Sequence, residues 1–303
     1  MYMAEKVIAQ TPITGSAETS VPTEHDFQTD TVTIPVKLCN LPPLNSIANQ
    51  VLSLTADPDV DLRRLAFAME ADPAFAAEVL LLANSSLFGF TSRMSVLRHA
   101  IAVLGLDRIK ALAVTVAMRA FLGGNSPLIR QCWRHSAACG VIAEEISPIF
   151  DVSGDQAYTA ALMHDIGRLG LLKSYPREMT PVLESEYADM PAVLAAERAA
   201  INVDHGLAGA WLVKNWAYPQ SFAQVCEHHH DAFDANDPPL LQVVKLACKM
   251  ADSLDYSAVR YDAMLYPELL QRLPASLRRE VFPSEKELRT NLKARLSVFE
   301  LTV

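Results

Sequence analysis

Helix-start and helix-stop signals follow one another along most of this 303-residue chain, and they constrain its fold more than any other feature. Asp72-Pro73 is typical of an N-cap followed by proline at the first helical position, so we expect a helix from there to Asn84. We expect Gly105 to close a second helix and Asp107 to begin a third. No stretch alternates apolar and polar residues for long enough to indicate a sheet. The sequence therefore predicts an all-α protein.

The same signals predict further helices after residue 127. They cover about 128–146, 155–169, 204–216, 219–230 and 240–254. Near the end of the chain, Leu288, Leu292, Leu296 and Phe299 fall on one helical face. We expect this last helix to pack back on the domain rather than to bind a partner, because one apolar face is what a surface helix buries.

Composition divides the chain into four parts. Residues 1–30 are rich in Thr, Ser, Pro, Glu and Asp and poor in large apolar groups, so they are expected to form a flexible tail. The Gly-Gly-Asn-Ser-Pro segment at 123–127 is the clearest linker. We therefore predict a tail at 1–30, a helical half at 31–124, a second helical half at 125–255 and a C-terminal helical extension at 256–303.

Charge and cysteine content restrict the expected partners and compartment. The formal net charge is −9 and no concentrated basic surface is evident, so no nucleic-acid partner is expected. Five cysteines without a C-x-x-C pair are typical of reduced thiols in a cytosol. The longest apolar helical run, 111–122, is interrupted by Arg119 and is too short to span a bilayer. No secretory signal is evident, so a cytoplasmic protein without a membrane partner is expected.

Histidines and aspartates of the second half fall where a buried metal site could be assembled. His164-Asp165 lies in a strongly apolar segment, where a charged carboxylate needs a partner to be tolerated. Imidazole and carboxylate together suit a divalent Mn, Fe, Zn or Ni ion, and ligands on separate helices can converge in a bundle core. The residues alone also allow hydrogen-bonded polar core residues and one exposed histidine run. The candidate ligands are His135, His164, Asp165, His205, His228, His229 and Asp252.

The order of these residues, with each group on its own predicted helix, resembles the HD superfamily of metal-dependent phosphohydrolases. Upstream features narrow the resemblance to the HDOD family, the regulatory relatives of that superfamily. The matching features are Leu41-Pro42-Pro43-Leu44, Asp72-Pro73, Leu82-Ala83-Asn84-Ser85 with Phe88, Ala100-Ile101 with Leu104-Gly105, Trp133 to Ser136, Leu162 to Leu169, His205 to Trp216 with Pro219, and His228-His229. The resemblance covers about residues 33–255. It implies a two-part helical bundle with an HD-like second half.

The chain departs from the related phosphodiesterases that cleave cyclic dinucleotides. Their Gly-Tyr-Pro signature after the double histidine is absent, because His230-Asp231-Ala232 stands there. Arg168 stands where those enzymes carry lysine, and arginine lacks the compact ammonium that can approach a metal-bound phosphate. Cyclic-dinucleotide hydrolysis is therefore disfavoured. Many HDOD members look degenerate at the ligand positions, whereas all seven candidates can be mapped here.

Two functions remain open. The favoured one is a non-catalytic signal-transduction module that docks other signalling proteins and uses one or two metal ions to hold the helices of its second half together. The alternative is a metal-dependent phosphohydrolase acting on a nucleotide or phosphate ester. In that alternative one ion is held by His135, His164, Asp165 and Asp252, and a second, bridged by Asp165, by His205, His228 and His229, with Arg168 facing the phosphate.

Overall fold

The protein is almost entirely helical over the part of the chain that the structure, a computed structural model, describes: residues 28–29, 32–55, 57, 59–85, 87, 93–122 and 126–300. This confirms the predicted all-α fold. Within these ranges, extended structure is limited to two pairs of two-residue strands. They are the antiparallel β1 (Gln28–Thr29) and β2 (Val32–Thr33), and the parallel β3 (Glu186–Tyr187) and β4 (Arg260–Tyr261).

The first helical part contains five helices among the described residues. They are α1 (Val36–Cys39), α2 (Ser46–Leu54), α3 (Leu62–Glu70), α4 (Pro73–Ala83) and α5 (Leu97–Leu122). Helices α2, α3 and α4 pack on α5. The Asp72 carboxylate accepts from the backbone N–H groups of Ala74 and Phe75, at 3.0 and 3.1 Å, so it caps α4 as predicted. The helix ends before Asn84, which is its C-cap.

The long α5 consists of two helical segments that meet at Gly105. This residue has φ 78° and ψ 170°, outside the helical region. No heavy atom lies within 4 Å of the position that a Cβ would occupy, so the requirement for glycine is conformational and not steric. The predicted change of helix at this residue is confirmed.

The second helical part carries the candidate ligands. Its helices are α6 (Pro127–Ile146), α7 (Gly154–Met163), α8 (Ile166–Ser174), α9 (Pro176–Glu184), α10 (Met190–Ile201), α11 (His205–Asn215), α12 (Gln220–His228) and α13 (Pro239–Ser253). Helix α6 is buried along most of its length and packs against α7 and α13. Pro127 begins α6 after Ser126, while the Gly-Gly-Asn part of the predicted linker lies outside the described residues.

The structure differs from the sequence prediction at residues 155–169, where two helices stand in place of one. Helix α7 ends at Met163 and α8 begins at Ile166, with His164 and Asp165 between them. Asp165 has φ −100° and ψ 16°, which turns the chain out of the α7 axis. No proline or glycine lies between Asp155 and Asp165, so the chain before the turn carries no local signal for it. The break allows the two neighbouring side chains to point in different directions.

The C-terminal residues form α14 (Tyr266–Gln271) and α15 (Glu285–Glu300), and α15 packs on α6. Leu288, Leu292 and Leu296 are buried on the face that the sequence predicted, so packing against the domain is confirmed. The Phe299 side chain and the predicted tail up to residue 27 lie outside the described residues. Within the described part, no helix combines the length and the apolar composition that crossing a membrane requires.

Candidate metal centre

Four side chains from three segments form a first buried group, which we call the Cys–His group. His135 and Cys139 lie one turn apart on α6, His164 follows the end of α7, and Cys248 comes from α13. Residues four apart on a helix share one face, which explains why the first two point the same way. Their four ligand atoms all lie within 4.8 Å of one another, and all four residues are buried.

The hydrogen bonds of the two imidazoles fix which nitrogen faces the centre of this group. The Nδ1 atom of His135 lies 2.9 Å from the Tyr256 carbonyl, and that of His164 lies 2.5 Å from the Ala161 carbonyl. Because a carbonyl only accepts, we assign the proton of each neutral ring to Nδ1. The two Nε2 lone pairs then face each other at 3.2 Å. This arrangement calls for a cation or a shared proton between them.

The thiols of the Cys–His group have unequal acidity. A hydrogen bond from Cys139 holds the pKa of Cys248 well below the ordinary thiol value despite burial, and His135 and His164 act in the same direction. Burial raises the pKa of Cys139 well above that value. Despite burial, Cys248 and then Asp252 raise the pKa of His135 to about 9, so His135 and Cys248 favour each other's charged forms. Two sulfurs and two imidazole nitrogens together form a donor set that suits a soft metal ion.

A second buried group, which we call the Asp–His group, contains Asp165, His205, His229 and His230. The Asp165 Oδ1 atom lies 3.2 Å from His205 Nε2 and 3.6 Å from His229 Nε2. His205 Nε2 is in turn 2.9 Å from His230 Nε2. Asp165 Oδ1 is fully buried and has no hydrogen-bond partner among the described residues. An orphaned carboxylate oxygen facing several imidazole nitrogens fits a metal ion such as Mn, Fe or Zn.

Arg168 gives the Asp–His group an internal cation. Its side chain is only 1% exposed, and its guanidinium binds the other Asp165 oxygen, Oδ2. Burial alone would raise the pKa of Asp165, but Arg168 and then His205 hold that pKa well below its usual range. The carboxylate is therefore ionised and already paired on one side.

Glu197 completes this charged cluster. Its carboxylate accepts from the His205 backbone N–H at 2.9 Å, lies 2.6 Å from His205 Nδ1, and faces Arg168 Nε at 3.4 Å. Burial would raise the pKa of Glu197, yet His205 and Arg168 lower it to about 2. Glu197 was not among the predicted site residues, although a glutamate among the apolar residues of α10 is itself a signal.

Five of the seven predicted ligands lie in the two groups, and two lie elsewhere. His228 is on the surface, with its side chain 44% exposed and its Nδ1 atom 2.8 Å from Asp231 Oδ2. Helix α12 ends at His228, and a rotation of about 100° per residue directs the next side chains inward, so His230 stands where His228 was expected.

Asp252 lies behind His135, on the side away from the facing Nε2 atoms. Its Oδ1 atom is 3.5 Å from His135 Nδ1, and its Oδ2 atom accepts a hydrogen bond from the Tyr261 hydroxyl. Burial raises the pKa of Asp252 to about 6. The sequence predicted that this carboxylate would bind a metal ion together with His135 and His164. Cys139 and Cys248, which were not among the predicted ligands, lie in that position instead.

The Cys–His group is closed to solvent, whereas the Asp–His group includes the half-buried His230. Each of Asp165, His164 and His205 is completely buried, and Arg168 and His229 are nearly so. A cavity of about 720 Å³ lies elsewhere, between helices of the two halves, and Trp216, Tyr218 and Phe222 line part of it. None of the predicted ligands lines that cavity.

Residues 41–232 match the family model of the HDOD domain, within the span where the resemblance was expected. The chain belongs to the HDOD family. An uncharacterised protein of Treponema pallidum is 25% identical to it over 293 residues, a match that covers 92% of this HDOD protein and 54% of the relative. The HDOD chain therefore spans about half the length of that relative.

Solved structures share the fold. An HDOD domain protein of Geobacter sulfurreducens is 24% identical with a TM-score of 0.64, covering 86% of this chain and 90% of that one. A proposed metal-dependent phosphohydrolase of Shewanella amazonensis is 22% identical with a TM-score of 0.62, covering 86% of this chain and 95% of that one. At these identities the likeness supports the HD-like fold and not a shared activity.

Proposed function

We propose that this HDOD protein is a regulatory module of signal transduction that acts by docking other signalling proteins. In this proposal its histidine-rich centre binds metal to hold helices together and does not hydrolyse a phosphate ester. The family supports a regulatory role, and the missing Gly-Tyr-Pro segment argues against a phosphodiesterase.

The observation that carries the proposal is the buried guanidinium of Arg168. A phosphohydrolase needs a cation whose free side meets the substrate phosphate. Here the guanidinium is committed to Asp165 and Glu197 and is almost completely buried. A phosphate could reach it only after helices move apart, and the two carboxylates would compete for the same positive charge.

Most of the exposed large apolar side chains lie in the first helical part, which makes this part the first candidate for docking. Of the eight exposed large apolar side chains in the described residues, six lie between Ile34 and Leu122. Phe67 on α3 is the most exposed of these six, at 77%, and Leu81 on α4 is also exposed. Aromatic side chains are enriched in interfaces, so Phe67 is the residue at which a contact with a partner is tested first.

The experiment tests docking in the 303-residue chain. Phe67→Asp should reduce co-purification of signalling proteins from the native cell by more than about tenfold, because a charge at the centre of an interface opposes binding. The matched control is Val281→Asp, since Val281 is 91% exposed and lies outside the first helical part. If both variants retain the same partners as the unaltered protein, docking through this surface is ruled out.

The second candidate is a metal-dependent phosphohydrolase acting on a nucleotide or phosphate ester. The specific observation in its favour is the orphaned Asp165 Oδ1 atom facing imidazole nitrogens, which resembles a site for a hydrolytic metal. Manganese-loaded protein should then turn over part of a nucleotide and phosphate-ester panel, and Asp165→Asn should abolish turnover. Such a result would replace the docking module as the primary function.

A further inference from the structure

We propose that His135, Cys139, His164 and Cys248 form a tetrahedral zinc site that is separate from the Asp–His group. The inference rests on the metal-binding part of the proposed function. It replaces the two-carboxylate, two-histidine donor set expected from the sequence with two sulfurs and two nitrogens. The site would be structural, because four protein ligands leave no open coordination position for water or substrate.

Three of the six distances between the ligand atoms match those that zinc imposes, and the other three are within 4.8 Å. With ordinary bond lengths, a tetrahedral zinc ion separates two imidazole nitrogens by about 3.3 Å and a sulfur from a nitrogen by about 3.6 Å. The two Nε2 atoms lie 3.2 Å apart. The Sγ atoms of Cys139 and Cys248 lie 3.6 and 3.7 Å from His135 Nε2. Four buried side chains therefore already surround a volume of the size that the ion requires.

The hydrogen-bond partners of the two imidazole ligands are also those of a zinc site. A zinc-bound imidazole usually donates its other N–H to a carbonyl or carboxylate, which fixes the ring. His164 has the Ala161 carbonyl in that position, and His135 has the Tyr256 carbonyl. Asp252 stands 3.5 Å from the same His135 nitrogen without a hydrogen bond to it, so it is a neighbouring carboxylate behind the ring and not a ligand.

Charge balance favours zinc over a hard divalent ion. Two thiolates neutralise Zn²⁺, and two neutral imidazoles complete the shell, so a buried complex carries no net charge. Sulfur ligands select zinc over Mn²⁺ or Mg²⁺, which prefer oxygen. Asp165 is not required as a counter-ion, because Arg168 already binds its Oδ2 atom.

The first measurement needs no variant. Full-length protein is purified with zinc supplied, and its metal content is measured by elemental analysis. The zinc is then exchanged for cobalt. We expect a sulfur-to-cobalt charge-transfer band in the near ultraviolet and the strong visible bands of tetrahedral cobalt. A weak octahedral spectrum without the sulfur band would overturn the proposal.

Variants then assign the site. Cys139→Ser and Cys248→Ser should each lower zinc affinity by more than a hundredfold and remove the sulfur band. Cys132→Ser and Cys226→Ser are matched controls, since both thiols are buried but belong to neither group, and both should keep the spectrum. Asp252→Asn should keep the sulfur band and the tetrahedral spectrum, because Asp252 is not a ligand in this proposal.

The outcomes separate this proposal from the proposed function. Metal that survives both serine substitutions but is lost in Asp165→Asn would place the ion in the Asp–His group and overturn the zinc site. The metal-dependent role of the centre would stand in that case. A Cys139–Cys248 disulfide in the purified protein would also overturn the zinc site. Circular dichroism of each variant checks that its helices remain folded. If a variant does not fold, the cobalt spectrum of the unaltered protein still tests the zinc site.

Discussion

At the residue scale, Arg168 determines the charge balance of the centre. Arg168→Gln would leave the buried Asp165 carboxylate without its cation, and such a loss typically costs about 3–5 kcal/mol. We expect the melting temperature of the metal-free protein to fall by about 10 °C, a rough conversion of that free energy. Added Mn²⁺ or Zn²⁺ should recover part of the loss, because an ion beside Asp165 replaces the missing charge. Thermal unfolding with and without a chelator measures both effects.

Arg272→Gln is the matched control for this substitution. Arg272 pairs with Glu268 on the exposed surface of α14, where an ion pair contributes little to stability. Its melting temperature should therefore stay close to that of the unaltered protein. Equal shifts in the two variants would show that the buried ion pair is not a special contributor to stability.

Single residues also explain what the sequence could and could not predict about the centre. His164-Asp165 was identifiable because a charged group stands in an apolar segment. Cys139 and Cys248 were not, because thiols are ordinary core residues, and Cys132 and Cys226 are equally buried without joining a group. Only the three-dimensional direction of each side chain distinguishes them.

At the element scale, α8 and α11 approach so closely that no side chain fits between them at Gly167. A Cβ there would stand 1.9 Å from the His205 carbonyl oxygen and 2.4 Å from the Gly209 nitrogen. Gly167→Ala must push the two backbones apart, so we expect a loss of at least about 3 kcal/mol, at the upper end of overpacking effects. Chemical denaturation measures the loss, and an insoluble product would be consistent with it.

The control for this helix contact is Gly154→Ala at the start of α7. A Cβ at this position meets Glu144 Cγ at 3.3 Å, and the nearest backbone atom lies at 3.8 Å. We expect a change within about 1 kcal/mol, because a shift of a few tenths of an Å restores ordinary contact and leaves the Glu144 carboxylate on its arginines. A stable, unaltered Gly167→Ala protein would contradict the backbone-contact argument.

The C-terminal helix is attached by a charge network centred on Glu144. This carboxylate binds Arg108 of α5 at 2.8 Å and Arg295 of α15 at 2.6 Å. Burial raises the pKa of Glu144, but the two arginines outweigh it and lower that pKa. Glu144→Gln should cost about 1.5–3 kcal/mol, the usual range for hydrogen bonds to charged groups. The neighbouring Glu145→Gln, at an exposed position on the same helix, should change the unfolding free energy by less than about 0.5 kcal/mol.

The sign of the pH dependence follows from the lowered pKa of Glu144. A carboxylate whose pKa is lower in the folded state adds stability above its unfolded pKa, and this stability is lost as pH falls through the folded pKa. The difference in unfolding free energy between the unaltered protein and Glu144→Gln should therefore be full at neutral pH and shrink on acidification. A difference that grows toward low pH would contradict this assignment.

The elements show where sequence signals are sufficient and where they are not. Helix α4 was predictable because Asp72-Pro73 and Asn84 act locally at its ends. The break between α7 and α8 was not, since it follows from the close backbone approach of α8 to α11. Tertiary contacts, not local propensity, decide such a boundary. The same break separates the Cys–His group from the Asp–His group.

At the scale of the whole molecule, residues 1–27 are expected to be dispensable for folding. Their composition lacks the large apolar groups that would bury enough surface to offset the loss of chain entropy. Removing them should leave the melting temperature within about 3 °C of the full chain, a shift of about 1 kcal/mol or less. A larger decrease would indicate that this segment packs on the helical domain.

The spacing of the Cys–His ligands along the chain has a consequence for biosynthesis. Cys248 follows His135 by 113 residues, so the fourth ligand is still untranslated when the first helix of the second half has formed. At about 5–20 residues per second, the interval between the two is on the order of ten seconds. The ribosome-bound chain therefore presents an incomplete set of these four side chains during that time. A zinc supply that is interrupted during translation but restored before release should yield the same fully loaded protein.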